Sequence, residues 1–261
     1  MMQQIDFHID ALESMKKYPQ QLYCIGNTEL LNKRKISIVG SRKPNQYARE
    51  MTHLLASKLS KAGVTVVSGG AIGVDAIAHK AAGAANTIMV AATGLDKRYP
   101  AINKNLISSI ETEGLVLSQF AEQTPSNKYN FVLRNELVVA LGDVLVVTYA
   151  DKDSGTMRSV EYALKMGKKI FVLPHRVGES EGTNLLLHEN KAEGIYDIEK
   201  FVAQFACVSE EKTSTAEDPF LSFCKTNPTY EEALKQFPER VFEAELLADI
   251  IVKNDRIFLQ N

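Results

Sequence analysis

Six short runs rich in β-branched and aliphatic residues recur along the chain: KISIVG (35–40), VTVVSG (64–69), NTIMVAA (86–92), GLVLSQF (114–120), DVLVVTY (143–149) and KKIFVLP (168–174). Longer stretches of helical pattern separate them. Few folds accept this alternation, because parallel strands must be joined by crossovers of a dozen or more residues, which helices supply. The runs lack the apolar–polar alternation of a half-exposed strand, so both faces of the sheet should be covered. The predicted architecture is α/β: an extended Rossmann-like, doubly wound, mainly parallel sheet. Ligands of such sheets bind at the carboxyl ends of the strands, so the residues after each run are where chemistry is expected.

The regions flanking the sheet differ in character. Residues 1–34 hold a predicted helix and the segment YPQQLYCIG (18–26), too short to fold alone, and read as an extension packed on the main domain of residues 35–205. Residues 206–218 are polar, charged and without apolar periodicity, a linker. Within residues 219–261, PFLSFCKTNP, TYEEALKQF and FEAELLADIIVKN are predicted helices and RIFLQN a closing strand. That succession is winged-helix-like. A DNA-reading helix wants basic residues, yet Glu243, Glu245 and Asp249 stand here, which favours a protein contact.

The formal net charge of −2 does not by itself point to nucleic acid. Its distribution does more. Residues 206–261 carry six Lys/Arg against eleven Asp/Glu, a net of −5, which leaves residues 1–205 at +3. Cys24, Cys207 and Cys224 form no CxxC pair, so no disulfide framework and no metal site is expected. With no long apolar run and no signal pattern at the start, the expectation is a cytoplasmic protein without membrane contact.

The loops after the runs supply the candidate chemistry. After the first comes Gly40-Ser41-Arg42-Lys43-Pro44-Asn45, followed by a helix from about Gln46. Glycine allows close backbone approach, helix N–H groups face the loop, and Arg42 can fork onto a phosphate, so the loop is a candidate anion cradle. A solvated turn with a surface arginine is the alternative. After the second run, Gly69, Gly70 and Gly73 are spaced GGxxG rather than GxGxxG, a weak signal alone. Asp75 is a candidate helix cap there, and His79 a packing residue. The third loop, DKRYP (96–100), and the fourth, NKYNF (127–131), interleave cations with aromatics, as single-stranded nucleic acid requires. Tyr129 and Phe131 could instead staple the next helix to the sheet. Ser154-Gly155-Thr156, after the fifth run, is a second anion-holding helix start or a plain cap.

Taken in order, VGSR, SGGAIGVDAIAH, GLDKRYP, the F-x-x-RN element at Phe131, Arg134 and Asn135, SGT at 154–156 and EGTNLLL (181–187) resemble the DNA-processing protein A family, DprA or Smf. The resemblance covers roughly residues 18–205. It implies binding of single-stranded DNA, self-association as a homodimer, delivery of the strand to the RecA recombinase during natural transformation, and no catalytic residue or cofactor. It implies a phosphate pocket at Ser41 and Arg42 with Lys43 beside them, a glycine wall at Gly69, Gly70 and Gly73, and strand contacts from Lys128, Phe131, Arg134 and Asn135. Ser118-Gln119 and Leu173-Pro174-His175 depart from the family's usual SE and VPG.

A rival reading is a nucleotide phosphoribohydrolase, whose hallmark is PGGxGTxxE. The corresponding DKDSGTMRS keeps Gly155 and Thr156 but has Ser159 where the carboxylate belongs, and Glu161 falls on another side of the helix. Without that acid/base group the hydrolysis lacks its catalyst. A module that binds a mononucleotide is the other alternative.

Overall fold

The computed structural model describes residues 2–206, 219–238, 240–241, 244, 250–253 and 255–259. The chain divides into two compact units, Met1–Cys207 and Val208–Asn261. In the first, nine strands form one sheet: β1 (Gln3–Gln4), β2 (Tyr23–Gly26), β3 (Lys35–Val39), β4 (Thr65–Ser68), β5 (Thr87–Ala91), β6 (Leu115–Ser118), β7 (Val144–Val147), β8 (Ile170–Val172) and β9 (Glu193–Gly194). Their spatial order is β1-β2-β6-β5-β4-β3-β7-β8-β9. From β6 to β9 every pairing is parallel, while β1 and β2 run antiparallel to their neighbours. All six runs are therefore strands of an extended Rossmann-like sheet.

Alternate residues of each strand face opposite layers, as the two-residue repeat of a strand demands. Ile88, Val90, Leu115, Leu117, Leu145 and Val147 join a core with α4 (Lys128–Leu141), α5 (Gly155–Lys165) and α6 (Glu181–His188). On the other side Ile36, Ile38, Val66, Val144 and Val146 pack on α1 (Gln46–Lys61), α2 (Val74–Ala82) and α7 (Ile198–Ala203). Met89, Ala91 and Val116 meet α3 (Lys104–Glu113). In α1 the buried residues Ala48, Thr52, Leu55, Ala56 and Leu59 follow the spacing of one helical face, and Gly63 at φ +77 ends the segment.

The helix expected in residues 1–34 is not found: the described residues there hold 3-10 turns at Asp10–Ser14 and Thr28–Asn32 and no α-helix. One turn suffices to bury Leu12 and Met15, and Pro19 opposes continuation. YCIG becomes β2, with Cys24 opposite Leu117. Strand order reverses direction at β3, which lies between β4 and β7. Such a switch point opens a crevice at the carboxyl ends of the strands.

The second unit contains α8 (Pro219–Cys224), α9 (Tyr230–Gln236) and an antiparallel hairpin of β10 (Ile250–Lys253) and β11 (Arg256–Leu259). Thr229 and Glu232 cap α9 reciprocally. Phe220, Cys224, Ala233, Val241, Ile250 and Ile257 form its small core. The helix expected over FEAELLADIIVKN needs correction at its end, where Ile250–Lys253 is a strand. Ile-Ile-Val favours extended backbone, and Asp255 at φ +61 turns the chain back onto β11. Residues 242–243 and 245–249 lie outside the described residues, as does 207–218 of the expected linker. Among the described residues no helix is long and apolar enough to cross a membrane.

Candidate nucleic-acid interface

A crevice of about 660 Å³ opens at the carboxyl ends of β3, β4 and β7. The loop after β3 forms one wall and is fixed through Ser41. Ser41 N–H donates to the Tyr149 carbonyl at 2.8 Å, and Val74 N–H donates to the Ser41 carbonyl at 3.2 Å. The Ser41 hydroxyl accepts the Lys43 N–H at 3.0 Å and closes the turn. Arg42 and Lys43 project from this rigid base and are exposed.

Helices α2, α4 and α5 begin at the crevice and α1 just after its first loop, and their starts differ: in α2 the Val74, Ala76 and Ile77 N–H groups donate to the carbonyls of Ser41, Ala71 and Gly73. Asn45 Oδ1 accepts the Ala48 N–H at 2.8 Å to cap α1, and Asn127 Oδ1 accepts the Asn130 N–H at 2.8 Å to cap α4. Among the described residues no side chain caps α5: the Ser154 hydroxyl makes no cap bond and is buried without a partner there. The Met157 N–H donates to the Ser154 carbonyl at 3.1 Å, and the N–H groups of Gly155 and Thr156, where glycine leaves the backbone bare, are the donors with the least intramolecular competition.

Beneath the crevice lies a buried polar cluster. Arg134 is only 5% exposed, and its guanidinium donates to the carbonyls of Gly69 and, at 3.1 Å, Val90. Its Nε donates to Asn135 Oδ1 at 3.1 Å. Asp75 accepts the Ala71 N–H at 3.2 Å. Burial pushes the Asp75 carboxyl up from its ordinary value, and the nearby Arg134 charge and loop donors pull it back. Burial likewise lowers Arg134, with Asp75 opposing and Arg42 reinforcing the change. A guanidinium starts so high that it keeps its proton. His79 is buried and pushed down to about 3, first by burial and then by the Arg134 charge. Thr87 Oγ1 gives its proton to the Val66 carbonyl, so it must accept at 2.6 Å from His79 Nδ1–H, which fixes a neutral tautomer.

Phe131 connects this cluster to the open loop. The Arg134 and Arg42 guanidinium carbons lie 5.8 and 5.6 Å from its ring centroid, within cation–π range. Phe131 therefore holds Arg42 over the crevice without ending its hydrogen-bonding capacity. Among the described residues no carboxylate comes within ion-pair distance of Arg42, Lys43 or Lys128.

Of the site residues expected from sequence, Ser41, Arg42, Lys43, Gly69, Lys128, Phe131, Arg134, Asn135, Ser154, Gly155 and Thr156 all border this one crevice. Gly70 and Gly73 do not. Gly73, at φ +83, lies behind the first loop, where any Cβ would collide with the Ser41 and Arg42 carbonyl oxygens at 2.5 and 2.6 Å. Gly70, at φ +73, faces the Met89 side chain. Gly69 leaves room for the Arg134 guanidinium, which any side chain there would displace. Arg158 also borders the crevice and is absent from the sequence expectation. Its position three residues after Gly155, one turn along α5, is the signal that marks it.

The chain is 34% identical over 177 residues to Protein Smf of Synechocystis sp., covering 66% of this chain and 44% of that protein. It is 32% identical over 166 residues to DNA processing protein DprA of Bacillus subtilis, covering 62% and 56%. The chain thus spans about half the length of these curated relatives. A solved structure of DNA processing protein A from Helicobacter pylori, concerned with that protein's single-stranded DNA binding mode, superposes with a TM-score of 0.76 at 41% identity over 78% of this chain and 94% of that one. DNA processing protein A of Streptococcus pneumoniae gives 0.72 at 31% identity, over 77% and 72%. The sequence profile of DNA recombination-mediator protein A matches residues 6–206, a span that includes every loop and helix start bordering the crevice, and the chain belongs to that family.

Proposed function

We propose that the crevice holds the backbone of single-stranded DNA and that the protein passes the strand, as a homodimer, to the RecA recombinase during DNA uptake and recombination. The observation that carries the reading is the set of cations that form no ion pair among the described residues, Arg42, Lys43 and Lys128, around an uncapped helix start at a switch-point crevice. Oxygens of a phosphodiester match both the guanidinium fork and the free N–H groups of α5. The binding mode reported for the Helicobacter pylori protein supports the ligand class.

The reading is one of binding and not catalysis. Asp75, the buried carboxylate of the crevice, is engaged by Ala71 and by the charge of Arg134. Ser159, at the position where a phosphoribohydrolase carries its acid/base group, is 2% exposed and is not a proton donor of useful strength.

The test is fluorescence anisotropy at about 0.1 M salt, where phosphate contacts still dominate affinity. Long oligothymidine should bind more tightly than the matching duplex and far more tightly than thymidine monophosphate. Equal affinity for duplex would refute the single-strand reading. Tighter binding of the mononucleotide would assign the crevice to a nucleotide-binding module.

A further inference from the structure

An aromatic surface beside the crevice has no part in holding phosphates. Tyr99 is 45% exposed and Ile102 81% exposed, on the turn between β5 and α3. The Tyr99 ring centroid lies 5.9 Å from that of Phe131, and Phe131 in turn lies 5.6 Å from the Arg42 guanidinium carbon. A continuous row thus runs from a cation over the crevice, through a half-buried ring, to a phenol open to solvent.

Exposed aromatics on surface turns ordinarily move with the turn, but this one is tied down on two sides. Gln123 N–H donates to Asp96 Oδ1 at 2.9 Å, Lys97 Nζ donates to the Gln123 carbonyl at 2.7 Å, and Gly94 N–H donates to the Thr124 carbonyl at 3.1 Å. Asn103, itself buried, donates through Nδ2 to the Gly70 carbonyl at 3.0 Å and so links the turn to the glycine loop. The ring is held before any ligand arrives, which lowers the ordering cost of binding. The charges of the turn are engaged elsewhere, since Arg98 grips Glu111 at 2.6 Å and Lys97 is bound to its carbonyl. The turn therefore offers a flat apolar face at Tyr99 and Ile102. Tyr129, two residues before Phe131 on α4, points about 200° away around the helix and does not extend the row.

We propose that Tyr99, with Ile102 beside it, is a stacking platform for a nucleobase of the strand whose phosphates the crevice holds. The strand then leaves over the β5–α3 turn and not over α5. This inference rests on the single-strand reading above, and its test separates the two.

Affinities are measured for oligothymidine and for an abasic oligomer of the same length, which keeps the phosphates and lacks the bases. Tyr99→Leu keeps apolar bulk against Phe131 but removes the ring. It should weaken oligothymidine binding about 5- to 100-fold, the range for loss of one stacked base, and leave abasic binding unchanged. Tyr99→Phe should restore wild-type affinity, and Ile102→Ala should give a smaller loss confined to oligothymidine. Equal losses on both oligomers, or no loss on oligothymidine, would overturn the platform while a wild-type protein that binds both oligomers keeps the crevice reading intact. A wild-type protein that binds neither oligomer removes the crevice reading and the platform together.

Discussion

The two ends of the parallel sheet treat their cations differently. At the amino end Lys35, 7% exposed, donates to the carbonyls of Leu31 and Lys33 at 2.7 and 2.8 Å. Nearby, Lys168 donates to the carbonyls of Ala140, at 2.5 Å, and Gly142. It thereby closes the end of α4, and burial holds its ammonium down to about 8. At the carboxyl end Arg134 is engaged in the same way by Gly69 and Val90, yet Arg42, Lys43 and Lys128 stand beside it with no ion pair among the described residues. A cation whose donors end on carbonyls of its own unit holds the fold. One that is held over the crevice by a ring, as Arg42 is by Phe131, and has no carboxylate of its own, is available to a ligand.

The largest effect should come from Arg134→Ala, which leaves Asp75 buried without its compensating charge. It also leaves the buried Gly69 and Val90 carbonyls without their donor, at about 1–3 kcal/mol for each. Urea unfolding should show a lowered midpoint; an unchanged midpoint would break the comparison by placing Arg134 among the ligand-facing cations. Arg42→Ala should do the opposite. Oligothymidine binding weakens by about 1–3 kcal/mol, and the slope of log affinity against log salt becomes shallower by about 0.7, while the urea midpoint stays within experimental scatter. A matching loss of stability would show that the first loop belongs to the fold as much as Arg134 does.

A third effect is one of pH. His79 has a folded value of about 3, below the 6.5 of the unfolded ring. Between those values only the unfolded chain takes up the proton, so stability falls as pH falls from 6.5 toward 3, by about 1.4 kcal/mol per unit. His79→Gln should flatten unfolding midpoints measured between pH 6.5 and 5. If the variant keeps the wild-type slope, the acid sensitivity of this end of the sheet comes from another group.

What the sequence made legible follows from how local each signal is. The six strands are self-contained runs, so their identity and their parallel pairing are visible without knowing any partner. β2 is not visible in that way, because its four residues acquire meaning only opposite Leu115–Ser118, about ninety positions later. In the crevice, helix starts and loop cations are local features and fall where the strand ends put them. The burial of Arg134 is not local: it depends on Gly69, whose missing side chain leaves the space, and on Asp75, a whole helix and two strands away in sequence. The glycine pattern marks a special loop, but only the backbone angles separate Gly69, at the crevice wall, from Gly70 and Gly73, which shape the loop from behind.

The placement of β3 between β4 and β7 has a consequence in time. β7 is synthesised about a hundred residues after β3, which at roughly 5–20 residues per second delays its arrival by about 5–20 seconds. Until then one edge of β3, the strand that leads into Arg42, is an open row of N–H and C=O groups, the kind of edge onto which other chains add. The nascent chain is thus most vulnerable to mispairing at the strand beside its own binding crevice, and the crevice is complete only when β7 closes that edge.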